Sequence, residues 1–187
     1  MLKVFIAGGT GMLGTNLSQY LRNLQYNVIT HGYKHKADVK SDMTKSETVI
    51  SLLDKIDPDI IINLICLSDV EKNEKDQDLA YQLNVKPVEN ISHWIQLRKT
   101  DAKFIQISTD HLYDNEGLNV EENVLCRNTY ATTKYCAEKI ALNVDASVLR
   151  TNFFGKSKNK NRQTISDWIE LNIENKTPIK LFNDVYF

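Results

Sequence analysis

Three cysteines in 187 residues are too few, and odd in number, to frame a disulfide-stapled fold. Cys66, Cys126 and Cys136 show neither CxxC spacing nor a histidine at ligand spacing, so structural zinc is excluded too, and a reducing, cytoplasmic setting is expected. Charge of one sign is also missing. Charged residues make up 25% of the chain but leave a net charge of only -1, so no global field draws nucleic acid or an anionic membrane. Small polar ligands are the expected partners. The apolar runs are strand-sized, well short of a bilayer span, and no signal-like segment precedes Leu2. Internal repeats and low-complexity linkers are absent, and the length suits one ordinary domain over residues 1–187.

Glycine is scarce as well, with seven in all, yet four of them fall within seven positions in "FIAGGTGMLGTNL". The apolar run "LKVFIAG" predicts a strand. "MLGTNLSQYLRNLQ", with Leu13, Leu17, Tyr20, Leu21 and Leu24 at helical spacing, predicts a helix directly behind it. The order repeats: "NVIT" as strand, "KSETVISLLDKI" as helix, a turn at Asp57-Pro58-Asp59 and the strand-like "IIINLI". A long helix from about Asp76 to Arg98 then leads to the strand "KFIQIS", a loop, a helix over "YATTKYCAEKIAL" and the strand "SVLRT". Unbroken apolar strands alternating with helices predict a Rossmann-type α/β fold, a doubly wound parallel sheet with helices on both faces. The long loops, 110–128 and 152–163, follow strands and so belong to the carboxyl edge, where ligands bind in such sheets.

Gly8, Gly11 and Gly14 form GxxGxxG at the first strand-to-helix junction. Bare backbone there lets a pyrophosphate approach, and the helix N-terminus supplies unpaired N–H donors and a positive dipole end. About twenty residues on, an acid usually meets a free ribose 2′-hydroxyl. The sequence offers Lys34 and Lys36 instead, the first acid being Asp38. The two lysines suit a 2′-phosphate, although a solvated surface loop accounts for them equally well. Further along, Tyr130 and Lys134 stand four apart on one face of a helix, a spacing any amphipathic helix can produce. Their position several strand-helix units after the glycines, behind the hydroxyl pair Ser108-Thr109, is what favours chemistry. A neighbouring ammonium is expected to lower the phenol's pKa and so activate it as a proton donor to a carbonyl.

"GGTGMLG", "SDM", "DPDIIINLI", "STDHLYDNEG", "YATTK" and "VLRTNFFG" together resemble the extended short-chain dehydrogenase/reductase superfamily. The chain looks most like its dTDP-4-dehydrorhamnose reductase branch of sugar-nucleotide reductases, and the similarity runs from Leu2 to the last residue. By this resemblance Thr109 holds the substrate carbonyl, Tyr130 donates the proton, and Lys134 tunes Tyr130 while holding the nicotinamide ribose. Gly11, Met12 and Leu13 would meet the pyrophosphate, with Gly8, Thr10, Gly14 and Lys34 completing that side of the cofactor site. Asp42 and Met43 would flank the adenosine, Leu64, Ile65 and Cys66 would line the cofactor, and Asp110 and Phe153 would touch the sugar.

The resemblance implies an NADPH-dependent reductase of a 4-keto nucleotide sugar, acting in deoxysugar and surface polysaccharide synthesis. NADP(H) is expected ahead of NAD(H), and no metal is needed. Two other readings stay open: an NAD-dependent epimerase or dehydratase, and a non-catalytic NADP-binding subunit resembling the regulatory beta subunit of methionine adenosyltransferase. Two departures from the family stand out. His111 occupies a place where the family commonly has an aromatic residue, and Leu64-Ile65-Cys66 replaces a run of small residues. The family also continues for about a hundred residues into a small substrate-binding domain. Its near absence here is expected to uncover Phe182, Val185, Tyr186 and Phe187, an apolar patch favouring association such as a homodimer.

Overall fold

The computed structural model describes residues 1–156 and 163–180; the terminal residues Phe182, Val185, Tyr186 and Phe187 lie outside that range. The chain divides into two compact units, Met1–Thr151 and Asn152–Phe187.

The first unit is a six-stranded sheet. Its strands are β1 (Lys3–Ala7), β2 (Asn27–Gly32), β3 (Val39–Lys40), β4 (Ile60–Asn63), β5 (Lys103–Thr109) and β6 (Ser147–Thr151). They lie in the order β3-β2-β1-β4-β5-β6 and all pair in parallel. The order reverses beside β1, so the first strand-helix turn sits at the switch point where such sheets bind ligands. The helices are α1 (Met12–Asn23), α2 (Ser46–Ile56), α3 (Val70–Lys75), α4 (Gln77–Asn84), α5 (Lys86–Arg98) and α6 (Thr129–Leu142).

Strand alternation sends successive side chains to opposite faces, and both faces are covered. On one, Phe5, Ile61 and Phe104 stand in register across β1, β4 and β5. They pack with Val49 and Leu53 of α2, Val88, Ile91 and Trp94 of α5, and Ala137 and Ala141 of α6. On the other, Val4, Ile6, Val28 and Ile62 pack against Leu17 and Leu21 of α1. The Rossmann-type fold expected from the sequence is therefore the one observed.

The expected long helix from Asp76 to Arg98 is two helices, broken at Val85. Pro87 causes the break: it has no N–H to bond Leu83, and its ring would strike that carbonyl, so it is tolerated only in the first turn of a new helix. The short α3, started by the Asp69 carboxylate accepting from Lys72 N, and the two-residue β3 carry too little pattern to read from sequence.

In the second unit, α7 (Ile165–Glu174) begins with a reciprocal capping box between Thr164 and Asp167. The Thr164 hydroxyl also donates to Gly155 O at 2.7 Å.

Candidate functional site

The glycine turn joins β1 to α1. Gly8 has φ +76°, a left-handed conformation that side chains rarely adopt, and a Cβ on it would lie 2.9 Å from Ile65 N. Gly14 is equally constrained: a Cβ there would stand 2.6 Å from Gly9 Cα, so α1 can press onto the turn only without a side chain. Gly11 differs. A Cβ on it would meet nothing closer than Gly8 O at 3.5 Å, an ordinary contact. Within the protein, then, nothing requires position 11 to be bare. Gly11 is also the N-cap of α1, and no side chain caps that helix. The first N–H groups of Met12 and Leu13 thus keep their donor capacity at the positive end of the dipole, as an anion site requires. Thr10 borders the same turn, its methyl 2.9 Å from where a Cβ on Gly32 would lie, at the end of β2.

Beyond β2 the chain makes a short excursion that carries Lys34. Lys34 is exposed, its ammonium 5.9 Å from the Tyr33 ring centroid. Asp38, the first acid after the glycines, is folded back on the protein. Its Oδ2 accepts from Thr30 N (2.8 Å), Thr30 Oγ1 (2.6 Å) and Arg22 Nη2 (2.8 Å). Partial burial disfavours its charge, but these donors outweigh it and hold the carboxyl below its ordinary range. Asp42 is likewise turned inward, with Oδ1 accepting from the hydroxyl and amide of Thr44, which keeps it ionised. Met43 buries its side chain in the core, and its carbonyl accepts from Asn90 Nδ2 at 2.9 Å. Of this pair, Met43 can offer only backbone to a ligand at this edge.

Leu64, Ile65 and Cys66 run directly on from β4. Leu64 N donates to Ala7 O at 2.9 Å and Ile65 N to Asn63 Oδ1 at 3.2 Å. Cys66 Sγ lies 4.0 Å from Tyr130 Oη. One short segment therefore touches the glycine turn at its start and the tyrosine at its end.

Thr109 ends β5, and Tyr130 and Lys134 lie on α6; all three are buried. Asn128 sets the start of α6, its side chain accepting from Ala131 N at 2.7 Å. The Thr109 hydroxyl accepts from His111 N at 3.2 Å and lies 3.3 Å from Asp110 Oδ1. The His111 ring meets the Tyr130 ring edge-on, centroids 5.4 Å apart.

The expectation that Lys134 lowers the Tyr130 pKa is corrected here. Burial pushes the phenol well above 10, its ordinary value; proximity to Cys66 adds to this, and a hydrogen bond with Thr109 opposes it. Burial also lowers Lys134, whose ammonium donates to Ile107 O at 2.6 Å. Tyr130 therefore keeps its proton throughout the neutral range.

Sequence reading missed a layer of buried amides beneath this edge. Asn63 Nδ2 donates to Gln106 Oε1 (2.9 Å), and Gln106 Nε2 donates to Ile107 O (2.9 Å), the carbonyl that also receives Lys134. Asn84 Nδ2 donates to Thr133 Oγ1 (2.9 Å), tying α4 to α6 between Tyr130 and Lys134. Polar residues inside otherwise apolar elements, as in "IIIN" and "FIQI", were the available signal. His31 was missed too. Phe153 belongs to the second unit and is about half exposed. Among the described residues no group of three or more His, Cys, Asp or Glu side chains could hold a metal ion, and no helix is long and apolar enough to cross a membrane.

The strand order, with the glycine turn at its switch point, defines the class: a Rossmann-type α/β protein. Within that class the chain belongs to the family of the RmlD substrate binding domain, whose model matches residues 2–186. It is 28% identical over 168 residues to a dTDP-4-dehydrorhamnose reductase of Aggregatibacter actinomycetemcomitans, covering 85% of this chain and 54% of that protein. Against a probable low-salt glycan biosynthesis reductase, Agl14, of Haloferax volcanii, the identity is 26% over 192 residues, covering 96% and 63%. Among solved structures, dTDP-4-dehydrorhamnose reductase from Bacillus anthracis, in complex with NADP, superposes with a TM-score of 0.76 at 28% identity, covering 92% of this chain and 60% of that one. The chain spans about half to three fifths of the length of these relatives.

Proposed function

We propose that the chain is the cofactor-binding and proton-donating part of an NADPH-dependent reductase of a 4-keto nucleotide sugar. The observation that carries this reading is the continuous wall 64–66, which lies against Gly8 at one end and reaches Tyr130 Oη at the other. A dinucleotide whose pyrophosphate rests on Gly11, Met12 and Leu13 would run along that wall toward Tyr130 and Lys134. The bare Gly11 and the uncapped α1 fit such a group. When bound, NADPH supplies a hydride to the carbonyl carbon.

The chain's own residues do the rest. Thr109 presents a hydroxyl to the carbonyl oxygen, and Tyr130 gives that oxygen its proton. A phenol held protonated by burial suits a donor to a strongly basic alkoxide. Lys134, with one donor spent on Ile107 O, keeps others for the nicotinamide ribose. Asp110 is assigned to the sugar. Lys34 is assigned to the 2′-phosphate, which Asp38, already engaged by Thr30 and Arg22, does not oppose. The relatives' names support dTDP as the nucleotide and glycan synthesis as the setting.

The experiment is incubation of the whole reductase, a substrate-binding part included alongside this chain, with NADPH and a panel of nucleotide 4-keto sugars, following loss of NADPH absorbance. Consumption with a dTDP-4-keto-6-deoxy sugar is expected. Saturable NADPH binding with no 4-keto sugar accepted would refute the substrate assignment.

A further inference from the structure

We infer that His31 is a positioning residue of the cofactor site, its imidazole clamping the glycine turn to the strand exit that leads into Asp42 and Met43. The inference rests on the reading of the site given above. His31 lies on β2 and is buried. Gly8 N–H donates to its Nδ1 at 3.3 Å. A nitrogen that accepts carries no proton, so the proton sits on Nε2, which donates to Ser41 O at 3.0 Å. The His31 carbonyl also accepts from Gly9 N at 2.8 Å, and the Phe5 ring lies tilted to the imidazole with centroids 6.2 Å apart. Both ring nitrogens are thus engaged, one with the glycine turn and the other with the segment that leads from β3 into Asp42.

Gly8 is the position whose left-handed backbone turns the chain toward α1, so the acceptor on its N–H helps fix where the phosphate cradle points. Ser41 directly precedes the residues assigned to the adenosine. A single ring therefore sets the distance between two parts of the site that belong to different strands.

The clamp works only with a neutral ring. A second proton on Nδ1 would set a donor against the Gly8 donor. Burial disfavours that proton, while Ser41 O and the Asp42 carboxylate favour it; Asp42 is the charged group facing the ring, with Lys45 beyond it. The net effect lowers the imidazole below 6.5, so the clamp holds at neutral pH and releases as acid is added below that value.

The test is titration of NADPH fluorescence with the 187-residue chain and its variants at about pH 7.5 and at a lower pH, stepped down from 6.5 because burial lowers the imidazole, until wild-type binding changes or the fold is lost. His31→Asn keeps an acceptor near the Nδ1 position, whereas His31→Gln carries its amide toward Ser41 and leaves Gly8 without an acceptor. The expected result is that His31→Asn binds within about threefold of wild type while His31→Gln loses about tenfold, the scale of one hydrogen bond. Wild type should weaken at the lower pH and His31→Asn should not, because an amide does not titrate. A solely structural role would lower the melting temperature of both variants and leave their affinities alike. Equal affinities of the two variants, or the same acid loss in His31→Asn as in wild type, would overturn the inference alone. Wild type that binds no NADPH at either pH would overturn it together with the reading of the site.

Discussion

Lys134 places its ammonium 2.6 Å from the backbone oxygen of Ile107, on the strand that ends in Thr109. That carbonyl has a second donor in Gln106 Nε2. Removing the amine therefore leaves no orphaned acceptor, and a methionine of similar shape would replace a buried charge with apolar volume. Lys134→Met is expected to fold with a melting temperature close to wild type or above it. NADPH binding should weaken about tenfold or more, because the donor assigned to the ribose is gone. Calorimetric melting and an NADPH titration on the same sample check both halves.

Tyr130→Phe keeps the ring that His111 meets edge-on and removes only the acid. General acid catalysis of this kind is worth roughly 10²- to 10⁴-fold, so kcat with a dTDP-4-keto sugar should fall by that factor while NADPH affinity stays put. The pH profile follows from the sign of the shift. The acid must hold its proton to act, and burial raises its folded pKa above 10, so the rate should hold through neutral pH and fall only on the alkaline side beyond 10. A variant retaining most of its kcat would place the proton elsewhere, with His111 the next side chain to examine.

The glycines divide by function, and alanine separates them. Gly14→Ala sets a methyl 2.6 Å from Gly9 Cα, where only backbone could give way. It should cost roughly 3 kcal/mol, the upper end of overpacking. Gly11→Ala meets nothing closer than 3.5 Å and should leave the denaturation midpoint nearly unchanged. Urea denaturation of the two variants checks the contrast.

Much of this was legible in the residues and some was not. The sheet could be read because its strands are short apolar runs punctuated by glycine, proline and capping residues. The break at Val85 was missed because apolar residues at helical spacing, Leu79 and Leu83 before the proline and Val88, Ile91 and Ile95 after it, run on across it. The glycine turn and the Tyr130/Lys134 spacing marked the two ends of the proposed site, while the segment joining them depends on how β4 exits beside α6, which no local pattern encodes. The phenol's pKa was misjudged for a related reason. Proximity of a lysine in sequence says nothing of burial, and at Tyr130 burial and the neighbouring Cys66 both raise the pKa.

Lys34 and Asp38 bear on cofactor choice together. With Asp38 held by Thr30 and Arg22, the exposed Lys34 and Lys36 are the charges left near the assigned 2′-phosphate, and Lys34 is the one assigned to it. NADPH should bind more tightly than NADH, and Lys34→Glu should reverse the order. Exposed charge pairs are worth about 1 kcal/mol or less, so a swing of roughly tenfold in the affinity ratio is the expected size. Competition titrations of both cofactors on both proteins measure it.

The most direct measurement is an isothermal titration of NADPH into the wild-type chain and into Gly11→Ala. Nothing inside the protein needs position 11 bare, so a loss of binding there has to come from a ligand that lies against it. One saturable NADPH site in wild type, weakened by a hundredfold or so in a fully folded Gly11→Ala, is the expected result, the order of two lost hydrogen bonds. Undiminished NADPH binding by Gly11→Ala, or no binding by wild type, would contradict a dinucleotide running from the glycine turn to Tyr130.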